Sequence, residues 1–156
     1  MKYILNCILV CLLINCKEKN KIYLNDIVGI IHQNNNIENN ITNNYYVLDE
    51  RFKDSGRHKL GLTAEEVIAI KRKIIEEDLY KLNDSLKFVK SYNISRLSKL
   101  SIIYKSGRKQ SFIFENYNYR SNFNNESYDK IANVEELIAK IIMKKKIDPE
   151  TVNIHF

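Results

Sequence analysis

The sequence predicts an α+β domain: a small antiparallel sheet with a hairpin near 99–115, packed against two amphipathic helices at about 64–82 and 128–146. Three observations carry that expectation. Apolar residues recur at helical spacing in two stretches, Val67, Ile70, Ile74 and Leu82 in one and Ile131, Val134, Leu137, Ile138, Ile141 and Ile142 in the other. Between them, Leu100–Tyr104 and Gln110–Phe114 are β-rich runs flanking Ser106-Gly107, the pattern of a hairpin. The resulting order of strand, helix, strands and helix suits helices laid on an antiparallel sheet.

The early chain is less decisive. Leu24, Ile27, Val28 and Ile31 would share a helical face, although Ile22 with Leu24 could equally begin a strand; a short helix is expected. Gln33 to Asn44 is dominated by Asn, with Ile37 and Ile41 as its apolar residues. Asn side chains compete for backbone hydrogen bonds and favour turns, so the tract reads as a flexible loop. The folded body is expected from Tyr45, where Tyr45, Val47 and Asp49 alternate with Tyr46, Leu48 and Glu50 as in a strand. Asp54-Ser55-Gly56 reads as a turn.

Thr63 and Glu66 form a T-x-x-E capping box, and Leu62 with Val67 is placed for a hydrophobic staple, so a helix should run from Ala64 to about Leu82. Leu86–Val89 is a short strand candidate. In the hairpin, Leu100, Ile102 and Tyr104 share a face that Phe112 and Phe114 extend, while Ile103 and Ile113 fall on the other side. The last helix has Asn133 and Glu136 spaced for a capped restart, Lys144–Lys146 at its negative end and Pro149 beyond it. Between hairpin and helix, Tyr117, Tyr119 and Phe123 are interleaved with Asn. Tyrosine offers flat apolar area with a hydroxyl at its edge, and Asn both a donor and an acceptor, which suits a glycan or an envelope protein partner. The alternative folds these aromatics back on the sheet as ordinary core material.

No catalytic residue is nominated. His32, His58 and His155 are far apart, without H-E-x-x-H spacing, and are expected at the surface; neither a metal nor a cofactor is expected. No G-x-S-x-G elbow occurs, and four glycines form no phosphate-cradling loop. Asp54-Ser55-Gly56 is similar to the D-[ST]-G of aspartic proteases, but Lys53 and Arg57 replace the apolar flanks that a shared proton needs, and no second copy exists. The formal charge of +6 is scattered among acids, with Lys71-Arg72-Lys73 followed by Glu76-Glu77-Asp78, so solvated helical faces are favoured over a nucleic-acid partner. Beside anionic lipid such a charge would draw the chain to the membrane surface.

Residues 1–16 read as an export signal: Lys2, then the apolar run Tyr3–Ile14, then Asn15 and Cys16, where charge resumes at Lys17-Glu18-Lys19. As a helix the run would rise about 18 Å, short of a hydrocarbon core of roughly 30 Å. Leu13-Ile14-Asn15-Cys16 resembles the lipobox of bacterial lipoprotein precursors, with Asn15 where that family usually has Gly, Ala or Ser. The resemblance implies acylation of the Cys16 thiol (palmitate among the acyl chains) and removal of a signal peptide at 1–15; the residue pattern then divides the remainder into a polar, Asn-rich tether over 16–44 and a single domain over 45–156. Cys7 and Cys11 would leave with the signal, and no intrachain disulfide is expected. The implied protein is a membrane-anchored envelope lipoprotein, at the outer membrane or cell surface rather than the inner membrane, whose body is a non-catalytic binding or structural module. The alternative is a lipid-tethered hydrolase with a dispersed site.

Overall fold

In the computed structural model, which describes residues 22–34, 37–89, 97–115 and 125–145, the chain enters a sheet well before Tyr45. A 3₁₀ turn at Leu24–Asp26 leads into β1 (Ile27–Asn34), followed by β2 (Ile37–Asn40), β3 (Tyr45–Leu48) and β4 (Gly56–Lys59). Helix α1 (Ala64–Glu76) precedes β5 (Ser85–Phe88), β6 (Leu97–Tyr104) and β7 (Lys109–Glu115), and α2 (Glu126–Met143) follows. The strands lie in the order β4-β3-β2-β1-β6-β7-β5. All neighbours are antiparallel except β5 and β7, which are parallel. The α+β class holds, but the sheet has seven strands and is mixed rather than small and wholly antiparallel. The segment containing α1 carries the chain from the β4 edge to the opposite edge, which is how β5 comes to lie parallel to β7.

A 3₁₀ turn and β1 replace the expected helix over 22–31; of the loop expected over 33–44 the described residues are strand except for a turn at 41–44, so the tether expected over 16–44 already contains β1 and β2. The register between β1 and β6 shifts between Ile27 and Gly29, a bulge that leaves Val28 as the extra, half-exposed residue. The bulge puts Ile27 and Ile30 on the same buried face three residues apart, so a distorted strand imitates helical spacing. The Asn tract is held by particular bonds. Asn40 Oδ1 accepts from Thr42 Oγ1 (3.3 Å) and from the Asn43 amide (3.0 Å), shaping the β2–β3 turn. Asn44, left-handed at φ 56°, accepts from the Leu62 amide (2.7 Å) and donates to the Leu62 carbonyl (2.9 Å), tying that turn to the entry of α1. Asn tolerates this backbone better than most residues.

Gly29 opposes Ile103, and a Cβ at Gly29 would lie 2.9 Å from Ile103 Cδ1 and 3.0 Å from its Cβ. Gly29→Ala is therefore expected to destabilise the fold by about 1–3 kcal/mol through overpacking, readable as a lower urea midpoint at unchanged slope.

The core lies on one face of the sheet. Leu100, Ile102 and Tyr104 of β6 and Phe112 and Phe114 of β7 are buried there, as the hairpin pattern predicts, against Ile70 and Ile74 of α1 and Ile131, Val134, Ile138 and Ile141 of α2. On the opposite face Ile103 and Ile113 are half-buried. The Thr63–Glu66 capping box forms as expected. The helix stops at Glu76 rather than Leu82, because Asp78 turns left-handed (φ 55°) and Leu79–Lys81 tightens into a 3₁₀ turn. Long-range bonds hold that turn. Arg108 Nη1 donates to the Tyr80 carbonyl (2.7 Å), and Gln110 Nε2 donates to the carbonyls of Leu79 and Leu82 (2.9 Å each).

Helix α2 is continuous from a cap at Asn125, whose Oδ1 accepts from the Ser127 and Tyr128 amides, and no restart occurs at Asn133. Asn133 instead donates to Glu77 Oε1 (3.0 Å), and Lys145 Nζ meets Glu66 Oε2 (2.6 Å), so the two helices run antiparallel to each other.

Candidate functional site

Alternation along β1 sends His32 and Asn34 to the face covered by α2. In register, His32 lies between Asn39 of β2 and Leu100 of β6, and Asn34 between Ile37 and Ser98. Four polar side chains thus gather on adjacent strands inside an otherwise apolar layer. His32 is 2% exposed, Asn39 3% and Ser98 0%. Among the described residues, His32 Nδ1 and Nε2, Asn34 Oδ1, Asn39 Oδ1 and Ser98 Oγ have no hydrogen-bond partner. Folded proteins pair nearly all buried polar atoms, since each one left unmatched costs about 1–3 kcal/mol. These five atoms sit on four neighbouring side chains of β1, β2 and β6.

The orientation of Asn39 follows from its own contacts. Its Nδ2 donates to the His32 carbonyl at 3.4 Å, which turns Oδ1 away from that carbonyl. Glu135 of α2 places Oε1 3.7 Å from His32 Nε2, too far for a hydrogen bond. One turn further on, Ala139, Ile142 and Met143 continue the same helical face. These three, with Ile37, complete a cavity of about 180 Å³ whose polar lining is His32, Asn34 and Asn39. That volume is well beyond the space one water needs. A few polar groups converging in an apolar cleft is the usual make-up of a small-molecule site.

His32 was expected at the surface and is instead buried in a central strand. Its neighbours Ile30 and Asn34 at two-residue spacing were the available sign, masked by the bulge upstream. His58 is half-buried in a turn contact: its ring stacks on Tyr46 (5.1 Å between centroids) and Nε2 donates to the Asp54 carbonyl (2.6 Å). The nominated Tyr117, Tyr119 and Phe123, together with Cys16 and His155, lie outside the described residues. Among the described residues, no three His, Cys, Asp or Glu side chains group to hold a metal, and no helix is long and apolar enough to cross a membrane.

Ser98 Oγ is fully buried and unpartnered, and Ser98 does not line the cavity. Ser98→Ala should therefore stabilise the protein by about 1 kcal/mol and raise its thermal midpoint by a few degrees. A lower midpoint would mean the hydroxyl is satisfied in solution.

No protein-family model, curated protein or solved structure matches this chain.

Proposed function

We propose that the chain is a lipid-anchored protein of the bacterial cell envelope, fastened through Cys16, whose body is a non-catalytic binding module. Its ligand is held in the cavity beneath α2, and its lipid faces the outer membrane or the cell surface. The binding role rests on one observation: His32, Asn34 and Asn39, each with a side-chain polar atom that has no partner among the described residues, line a single cavity. The anchor rests on the basic, apolar and Cys-terminated order of residues 1–16.

A hydrolase would need a nucleophile bonded to a base that a third group orients. Ser98, His32 and Glu135 are the residue types for that chemistry, with His32 3.7 Å from Glu135 and Ser98 on the strand next to His32, opposite Asn34. Yet neither Ser98 Oγ nor either His32 nitrogen makes a hydrogen bond among the described residues, and Ser98 is sealed from solvent. That geometry favours the binder.

The anchor is tested by growing producing cells with a clickable palmitate analogue. The unaltered protein is expected to carry the label and partition into detergent, while Cys16→Ser should be unlabelled and remain in the aqueous phase. An unlabelled wild-type protein would overturn the anchor without touching the cavity.

A further inference from the structure

We infer that the face of the sheet opposite the helices docks on an anionic phospholipid bilayer, an inference that rests on reading the chain as membrane-anchored. Both described helices pack against the other face, where Leu100, Ile102 and Phe112 are buried. On the face they leave, the register lines up a row across all seven strands, from Arg57 through Val47, Gln33, Lys99 and Ile113 to Lys87. Lys109, opposite Ile103, and Lys59, opposite Tyr45, share that face. It thus presents five exposed basic side chains against two acidic ones, Glu38 and Glu115, of which Glu115 is buried. The helix layer has no such excess: α1 carries three acids and three bases, and α2 four acids and two bases. Among the described residues Lys59, Lys87, Lys99 and Lys109 have no ion-pair partner, whereas Lys73 and Lys130 on the helices each hold a carboxylate.

The layout favours a lipid surface over a nucleic acid. Six strand spacings of about 4.8 Å make the face about 29 Å wide, a platform rather than a cleft. Half-buried Ile31, Ile103 and Ile113 stand among the lysines. Lysine stems can lie along such apolar ground while their ammonium groups reach outward to headgroups. Sheets that bind single-stranded nucleic acid stack bases on exposed aromatics. No aromatic stands on this face of β1, β5, β6 or β7, and Tyr45 on β3 already has the Arg57 guanidinium 4.2 Å above its ring. Arginine forks onto fixed phosphates, whereas lysine is a point charge on a flexible stem, suited to mobile headgroups. Arg57 is the sole arginine among the five bases. The negative potential of an anionic membrane favours binding by about fivefold for each basic residue near it. Cys16 precedes Ile27 by 11 residues, a span of at most about 40 Å. A lipid on that thiol would hold the face at high effective concentration beside the bilayer.

The test places the protein purified from producing cells in vesicles of phosphatidylcholine, with or without phosphatidylglycerol. A membrane-impermeant reagent acetylates exposed amines under single-hit conditions, and mass spectrometry reads each lysine. On the anionic vesicles Lys59, Lys87, Lys99 and Lys109 are expected to react at least about fivefold more slowly. Lys140 and Lys144, exposed on the helix side, should react equally on both. About 1 M salt, where the screening length is about 3 Å, should restore the rates. Lys87→Gln, Lys99→Gln and Lys109→Gln together should weaken docking about a hundredfold and release Lys59, and all three positions are exposed, so folding is spared. Equal rates on the two vesicles, or protection of Lys140 and Lys144 instead, would overturn the docking face. A short DNA duplex that protects the same lysines better than vesicles at equal phosphate would overturn lipid as the partner. Should the purified protein be unacylated yet show the expected protection, the anchor would fall and the docking face would stand.

Discussion

Phe112→Ala is expected to remove about 3–5 kcal/mol of stability, a large share of the 5–15 kcal/mol that holds a typical domain together. Phe112 is wholly buried and sits in register between Leu100 of β6 and Leu86 of β5. Its ring fills the layer between the sheet and the helices, and backbone ladders on both sides keep the walls of the resulting hole from closing in. The measurement is urea unfolding followed by circular dichroism, with a lower midpoint and an unchanged slope. Ile113, one residue on, is only half-buried on the opposite face, so Ile113→Ala should cost less than half as much. Equal effects at the two positions would mean that both faces of the sheet are covered in solution.

Gln110→Leu comes next in size, at about 3 kcal/mol, because three hydrogen bonds worth about 1 kcal/mol each are lost together. Gln110 is 1% exposed; its Nε2 serves the Leu79 and Leu82 carbonyls, and its Oε1 accepts from the Tyr104 hydroxyl. The two carbonyls keep other donors, the Leu82 amide for Leu79 and Arg108 for Leu82, so the tyrosine is the group left stranded. A double-mutant cycle with Tyr104→Phe isolates that part, and a coupling clearly above zero is expected. The same tyrosine sets an alkaline limit. Burial pushes its phenol well above the ordinary value of 10, with Arg108 partly opposing and Asp84 adding to the rise. The folded state therefore keeps the proton after the unfolded chain has released it. Stability should be intact below about pH 10 and fall as pH rises beyond it, with a shallower decline in Tyr104→Phe.

What could be read in advance was local. The Thr63–Glu66 box, the stripe of α1 and the faces of the β6–β7 hairpin depend on residues within a few positions of one another, and all three form. What could not be read depends on distant partners. The end of α1 is decided by Arg108 and Gln110, some 30 residues later, while Leu79 and Leu82 continue the apolar rhythm as if nothing had changed. Asp78 takes the left-handed turn without the glycine that would signal it. The Asn tract has a composition shared by loops, and only the positions of His32, Thr42 and Leu62 in the fold convert its amides into specific contacts. The cavity lay deepest out of view, since its polar wall comes from β1 and β2 and its apolar wall largely from α2, about 100 residues away.

The position of β1 has a mechanical consequence. It is the first strand among the described residues and also the middle strand of the sheet, clasped by β2 on one side and β6 on the other. Were the chain fastened through Cys16 as proposed, a tug from the membrane would reach that strand first. Such a load is shared by two rows of backbone bonds at once, whereas an outermost strand would peel away from one. The body should thus resist extraction by pulling far better than its modest size suggests.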